Sequence, residues 1–476
     1  MTGIKTADHH GSHRDLIWEV EEAPPPQKVD AIIVPTARRV PYLKEAAVAA
    51  RALSCPLVTL HSRKWTSAAQ AAAYLDPAID LIAIDVPDPA QLRLPAMETS
   101  QLLAGSVFER RTDVSTKRNL GLALAHMLRW KRVVFLDDDI RVPNPGDLGK
   151  AAALLDTHTA VGLGIGGFPD NSMVCHAFRE AGGWQETFIG GGALAVEMRR
   201  NRSFFPNVYN EDWFFVLDAG KRLHPVATVG EVLQYPYDPY RIERAKNEEF
   251  GDVLAEGTFW LLDQGKPASD GDQAHWSDFL AKRQRFIGRV LDMVESTTSI
   301  DAGLQKRMGE ALRAALRCCV GIDPDFCVAY MKALAIDQDR WQRHVQQIRR
   351  QPKLSAEDAL RALTVSGRTP LTWYTGKATS SKETVGTRRR GPSGTSVPAL
   401  RPARAGEFQA ATPPPPPGLI PRDFTTATWP SPLLGAVVAS AHAKHAEVIA
   451  KIALACQQQA DDAGGDGKRP SQPVHL

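Results

Sequence analysis

Val133-Val134-Phe135-Leu136-Asp137-Asp138-Asp139 sets four apolar, β-favouring residues directly against three carboxylates. Such a run reads as a buried strand that ends at a sheet edge and presents its acids there. Three like charges side by side repel one another unless a cation lies among them. Hard divalent ions such as Mg²⁺ or Mn²⁺ answer that need, because they prefer carboxylate oxygens and commonly take one or two of them plus substrate phosphates. A solvated acidic turn after an edge strand would give the same string, so the flanking sequence has to decide.

Working outward, the apolar runs Ala31 to Val34, Leu57 to Leu60 and Leu81 to Ile84 repeat the pattern, and helical segments such as Tyr42 to Leu53 and Thr66 to Tyr74 alternate with them. That alternation predicts an α/β fold with a mostly parallel sheet covered on both faces, whose ligands sit at the carboxyl ends of the strands. Just upstream, Ser115-Thr116-Lys117-Arg118-Asn119-Leu120-Gly121 opens an apolar helix, Leu122 to Leu128. Two cations and an amide at a helix start can hold a diphosphate, although an ordinary basic cap has the same composition. Downstream, Ile189-Gly190-Gly191-Gly192-Ala193 offers close backbone approach or a plain turn. Asn210-Glu211-Asp212-Trp213 offers a general base beside a sugar-stacking ring, or simply an acidic helix start.

The five segments Ile33-Val34-Pro35-Thr36, Lys117-Arg118-Asn119-x-Gly121, Phe135 to Asp139, Gly191-Gly192-Ala193 and Glu211-Asp212 follow one another in an order that resembles the family 2 glycosyltransferases, from about Asp30 to Gly265. The resemblance implies a GT-A nucleotide-sugar-binding domain with a divalent cofactor, Mn²⁺ or Mg²⁺. It implies that Asp139 binds the metal, and Asp137 the ribose or a metal-bound water. Pro35, Thr36, Arg38, Lys117, Arg118, Asn119, Asp138, Gly191 and Gly192 line the nucleotide site on this reading. Asp212, with Glu211 beside it, is the base that deprotonates the acceptor hydroxyl in an inverting, hexosyltransferase-like reaction. His224 is a candidate third metal ligand, although a lone His is more often structural. The second strand ends in His61-Ser62-Arg63 where the family has an Asp-x-x-Ser-x-Asp turn, which leaves the donor nucleotide open. Two other classes compete. A nucleotidyltransferase would carry a Gly-rich basic loop after its first strand, where this chain has Thr36-Ala37-Arg38-Arg39. A non-catalytic nucleotide-sugar-binding or scaffold protein would have no need of Asp137, Asp139 and Asp212 together.

The remaining segments set the expected domain plan: a disordered N-terminus over 1–28, a GT-A domain over 29–268 and a helical appendage over 269–370. After these come a disordered Pro/Arg/Ser-rich linker over 371–432, an isolated helix over 433–460 and a disordered end over 461–476. In the appendage, Trp276, Phe279, Leu280, Phe286, Ile287, Val290, Leu291 and Val294 form one helical stripe. Asp323-Pro324 and Ser355-x-x-Asp358 read as helix starts. The stretch Tyr235 to Arg241, followed by Glu248 to Asp252, suits either acceptor binding or an ordered loop.

Composition narrows the function further. In 476 residues, 57 basic side chains nearly cancel 54 acidic ones, leaving +3, which argues against a nucleic-acid partner. The six cysteines include no C-x-x-C pair and read as free thiols of a reducing compartment. No secretory leader and no membrane-length apolar run are expected, so the chain reads as cytoplasmic. The expected partners are a nucleotide-sugar donor and an acceptor that is a saccharide, lipid-linked or a small molecule. Seven basic residues between Lys377 and Glu407 read mainly as a solvated linker, with weak membrane-surface attraction as the sharper alternative.

Overall fold

The computed structural model describes residues 6–9, 18–20, 24–62, 64–168, 172–184, 189–218, 222–365 and 371–376. The elements of the first half are β1 (Trp18–Glu19), β2 (Ala31–Thr36), α1 (Lys44–Ala52), β3 (Leu57–His61), α2 (Ala68–Tyr74), β4 (Leu81–Asp85), α3 (Glu98–Leu103), α4 (Val114–Met127), β5 (Arg132–Leu136), β6 (Ile140–Arg141), α5 (Gly146–Leu154) and β7 (Ala160–Gly167). Then come α6 (Met173–Glu180), β8 (Ala193–Glu197), α7 (Glu211–Phe215), β9 (Leu217–Asp218), β10 (Arg222–Leu223), β11 (Val226–Gln234), α8 (Ile242–Asp263), α9 (Gln273–Ser296), α10 (Ala302–Val320), α11 (Pro324–Arg350), α12 (Ala356–Ala362) and β12 (Thr372–Gly376).

Among the described residues ten strands form one mixed sheet in the order β1-β11-β7-β8-β5-β2-β3-β4-β12, with β6 antiparallel to the end of β11. Strands β2 to β5 run parallel, and β8 lies antiparallel between β5 and β7. The four strands expected from sequence are all present. Each is buried on both faces because apolar residues run along it on both faces without alternation, apart from polar residues such as Thr59 and those at the strand ends. One face packs the alanine-rich sides of α1, α2 and α5 onto Ile32, Val34, Val134 and Leu136. On the other face Gly121 lets α4 lie directly on β2: a Cβ there would come within 2.9 Å of Ile33 Cγ2.

The chain enters the sheet at β2, moves outward to β3 and β4, then returns to the other flank of β2 as β5. The carboxyl ends of β2 and β5 therefore lie side by side at one edge of the sheet, the usual ligand position in such a sheet.

The helical stripe forms the buried side of α9, and Asp323 and Ser355 cap α11 and α12 with their side chains as expected. Two parts of the domain plan change. Trp18–Glu19, inside the stretch expected to be disordered, runs parallel to β11. Thr372–Gly376, placed in the linker by composition, is a strand antiparallel to β4, because Trp373 and Tyr374 supply β-favouring side chains in a polar run. The rest of the expected linker, the helix over 433–460 and the end over 461–476 lie outside the described residues, as does the basic cluster. No cysteine among the described residues is in a disulfide, and no helix among them is long and apolar enough to cross a membrane.

Candidate functional site

Thr36 ends β2, Asp137 to Asp139 follow β5, and the two termini meet: the Thr36 hydroxyl donates to Asp138 Oδ2 at 2.6 Å. Arg38, two residues past the end of β2, spans the next two carboxylates. Its guanidinium contacts Asp138 Oδ1 and lies 3.0 Å from Asp139 Oδ2. The carboxylate side chains are only 7% and 11% exposed, whereas the Arg38 side chain is 43% exposed. Asp139 is also tied to the end of β11, since the Tyr235 N–H donates to its carbonyl at 3.0 Å.

A second set of contacts brings Asp212 to the same edge. Gly192 accepts the Asp137 N–H at 2.9 Å, and the neighbouring Gly191 N–H donates to Asp212 Oδ2. The Trp213 N–H donates to the other oxygen, Oδ1, at 3.0 Å. Arg118 closes the ring, reaching Asp137 Oδ1 at 2.9 Å and Glu211 Oε1 at 2.8 Å. Gly191 is required there, because a Cβ would meet the Arg118 guanidinium at 2.5 Å. Glu211 gives its other oxygen to Arg110, at 2.9 Å.

These settings separate the acids. Desolvation, with the neighbouring Glu211 charge adding to it, pushes Asp212 up to about 6. Desolvation pushes Asp137 up to about 6 as well, despite Arg118. Glu211 is desolvated too, yet Arg110 and Arg118 hold it below the usual carboxylate value. It is locked as an anion with both oxygens committed, so it braces the site and is poorly placed to take a proton.

The structure relocates several expected contacts. Lys117 is buried, its ammonium 2.8 Å from the Thr36 carbonyl, 2.6 Å from Ser62 Oγ and 3.0 Å from Asp113. It ties the ends of β2 and β3 together, and three contacts use its three protons. Arg118 is buried against Phe205 and committed to two carboxylates. Asn119 spends both ends of its amide on the Phe205 backbone, at 2.8 Å each. The helix start that reads as a diphosphate cradle is therefore an internal brace, and Arg38 is the expected cation that keeps solvent access. Pro35 is buried at the end of β2. Trp213 is buried against Phe259, with ring centroids 5.1 Å apart, and is no exposed stacking platform.

His224 does not reach the carboxylates. It precedes β11, whose far end meets Asp139, and nine residues of strand at about 3.3 Å each put it on the opposite edge of the sheet. Its imidazole lies 3.5 Å from Ser203 Oγ instead, and burial lowers its basicity. Glu249 and Asp252 belong to the core, where Arg283 binds them. Tyr237 bonds His176 at 2.8 Å, so that stretch is the ordered-loop alternative. Arg110 and Ser62 had no sequence signal, because each acts through a partner distant in the chain; Asp113 pairs with Lys117 only four residues on and was missed although the spacing is local.

The acidic strand end offers a divalent cation part of a shell. Among the described residues no three His, Cys, Asp or Glu side chains converge as a metal-binding group. Asp138 and Asp139 do form a pair of hard oxygen donors, and two carboxylates completed by substrate phosphates are enough for Mg²⁺ or Mn²⁺. Arg38 now occupies the position between them. Asp137, expected to bind the ribose or a metal-bound water and counted with Asp139 among the candidate metal-site residues, is held by Arg118.

No protein-family model matches the sequence, and no curated protein matches it. Among solved structures the chain is similar to the mannosyltransferase PcManGT from Pyrobaculum calidifontis in complex with GDP-Man and Mn²⁺. The two are 16% identical over 67% of this chain and 89% of that one, with a TM-score of 0.32. A likeness of that degree assigns neither fold family nor activity.

Proposed function

We propose that the chain is a glycosyltransferase of the GT-A type that moves a sugar from a nucleotide-diphosphate donor to an acceptor hydroxyl, with inversion at the anomeric carbon. The observation that carries this reading is the placement, at the carboxyl edge of one sheet, of the Asp138–Asp139 pair, the exposed Arg38 that spans it and Asp212, which is tied to the same strand end through Gly191 and Gly192. In the reaction the acceptor oxygen bonds to the anomeric carbon, the bond from that carbon to the phosphate oxygen breaks, and the nucleoside diphosphate leaves. Asp212 accepts the acceptor's proton; a carboxylate near 6 is ionised at neutral pH yet basic enough to serve. The Gly191 and Trp213 N–H groups fix its orientation, and Arg118 holds Asp137 and Glu211 in register with it. Arg38 faces the diphosphate, whose charge grows as the bond breaks, and its planar fork suits phosphate oxygens. Asp138 and Asp139 are the residues that would hold a divalent cation, which would supply Lewis-acid stabilisation of the leaving diphosphate.

The test is a panel of nucleotide sugars assayed for release of nucleoside diphosphate, with Mn²⁺, with Mg²⁺ and with chelator. Metal-stimulated release from one or a few donors is the expected result. No release from any donor, with or without acceptor saccharides, would remove the reading.

A further inference from the structure

Arg38 and a metal ion compete for the same oxygens. The guanidinium bridges Asp138 Oδ1 and Asp139 Oδ2, and Thr36 already occupies Asp138 Oδ2. The burial of the partners shows which one can leave. Both aspartates are fixed at the strand end, the first by Thr36 and the second by the end of β11, whereas Arg38 projects from a surface loop. The Tyr42 ring, 46% exposed, already lies beneath the guanidinium in this position, its centroid 5.5 Å from the guanidinium carbon. An arginine can slide over such a face while keeping a cation–π contact. The other cations near the carboxylates, Lys117 and Arg118, are buried in fixed contacts and cannot make this exchange.

We propose that Arg38 is a clasp that exchanges between the Asp138–Asp139 pair and the donor diphosphate, so that metal and nucleotide bind as a pair. Without nucleotide the guanidinium neutralises the two carboxylates and opposes entry of a divalent ion. A diphosphate offers Arg38 a bidentate anionic partner and draws it off the aspartates. The vacated oxygens and the diphosphate oxygens then together make a shell for the metal, which two carboxylates alone do not complete. Coupling of this kind is reciprocal, so metal must strengthen nucleotide binding by the same factor. The inference rests on the proposed function for the nature of the ligand, but its metal arm stands independently.

The test measures free Mn²⁺ by electron paramagnetic resonance during titration of wild type, Arg38→Gln and Arg38→Lys, alone and with UDP or GDP. With no nucleotide present, Arg38→Gln should bind Mn²⁺ about 10-fold more tightly than wild type, within the usual span of such couplings. Arg38→Lys, which keeps the charge but loses the fork, should fall between them. Saturating nucleotide should tighten Mn²⁺ binding in wild type by a similar factor, and by less in Arg38→Gln. Loss of the guanidinium charge by itself tightens Mn²⁺ binding, so the exchange is read from the nucleotide-dependent gain being larger in wild type than in Arg38→Gln. Unchanged or weaker Mn²⁺ binding by Arg38→Gln, in protein with a wild-type melting curve, overturns the clasp. If UDP and GDP leave Mn²⁺ binding unchanged in all three proteins, the nucleotide half of the proposal falls. If neither binds in calorimetry, with or without Mn²⁺, the proposed function fails too, and the nucleotide-free comparison still decides whether Arg38 guards the metal site.

Discussion

Arg38 and Arg283 are each ringed by carboxylates, but the two clusters are built for opposite purposes. Arg283 lies in α9 with no solvent access, 2.8 Å from Glu249, 2.7 Å from Asp252 and 2.7 Å from Glu256, all three on α8. Every partner is buried, and Asp252 also accepts from Asn210 at 2.9 Å. Asn210 holds the left-handed conformation, φ 62°, that starts α7 and so sets the direction of Glu211 and Asp212. The core cluster thus fixes the backbone beneath the site. Arg38 makes comparable contacts with one side open to water, where the ion pair is weak and can be traded for a ligand. Identical side-chain chemistry is structural where solvent is excluded and exchangeable where it is not.

Four outcomes would sharpen or break that contrast. The largest concerns the core. Arg283→Met strands three buried carboxylates and should cost about 3–5 kcal/mol. At roughly 1–1.5 °C per kcal/mol for a folded unit of this size the melting temperature should fall by about 5 °C. The loss should shrink at lower pH, where the stranded acids protonate. A near-wild-type melting curve at neutral pH would mean that the cluster is not the brace described.

At the carboxyl edge of the sheet the expected effect moves from stability to rate. Asp212→Asn keeps size and one acceptor but cannot take a proton, so turnover should fall by roughly 10²-fold or more, with little change in donor binding. Wild-type turnover in this variant would remove Asp212 as the base.

The pH dependence follows from the same residue. Asp212 must be ionised to act, so below about pH 6 the rate should drop close to tenfold per pH unit, and Asp212→Asn should lack that limb. Stability runs the other way. The folded chain keeps protons on Asp137 and Asp212 up to about pH 6, whereas ordinary aspartates release theirs near 3.8. Between those values the folded state binds more protons, so these two groups make stability decline as pH rises. A melting-temperature series in wild type and Asp212→Asn should show a shallower decline in the variant.

The smallest effect should come from Arg38. Arg38→Gln removes a half-exposed ion pair and should change stability by no more than about 1 kcal/mol, in contrast to Arg283. A loss as large as that of Arg283→Met would show that Arg38 belongs to the fold and not to an exchangeable clasp.

Four of the ten described strands of the sheet were legible because each carries its own signal. Ala31–Thr36, Leu57–His61, Leu81–Asp85 and Arg132–Leu136 are apolar runs closed by polar residues, and that is local information. β12 was missed because its five residues run into a long polar stretch and gain strand character only beside β4. In the site, Asp137 to Asp139, Gly191, Gly192 and Asp212 could be chosen by residue type and order. The roles of Lys117, Arg118 and Asn119 could not, since a basic helix start looks the same whether it faces a ligand or the protein interior.

The sequence by itself determined the class of fold, the acidic strand end and the chemical identities gathered near it, because periodicity and composition act over a few residues. Only the tertiary structure decided which charges remain available. The Arg38–Asp138 contact joins residues 100 apart, and the Arg118–Glu211 contact joins residues 93 apart. Pairings at that separation depend on how the ends of β2 and β5 lie side by side and on where α4 and α8 pack. Burial then commits Lys117, Arg118 and Arg283 to internal partners and leaves Arg38 to the solvent, because the cost of desolvating a charge is set by its three-dimensional surroundings and not by its neighbours in the chain.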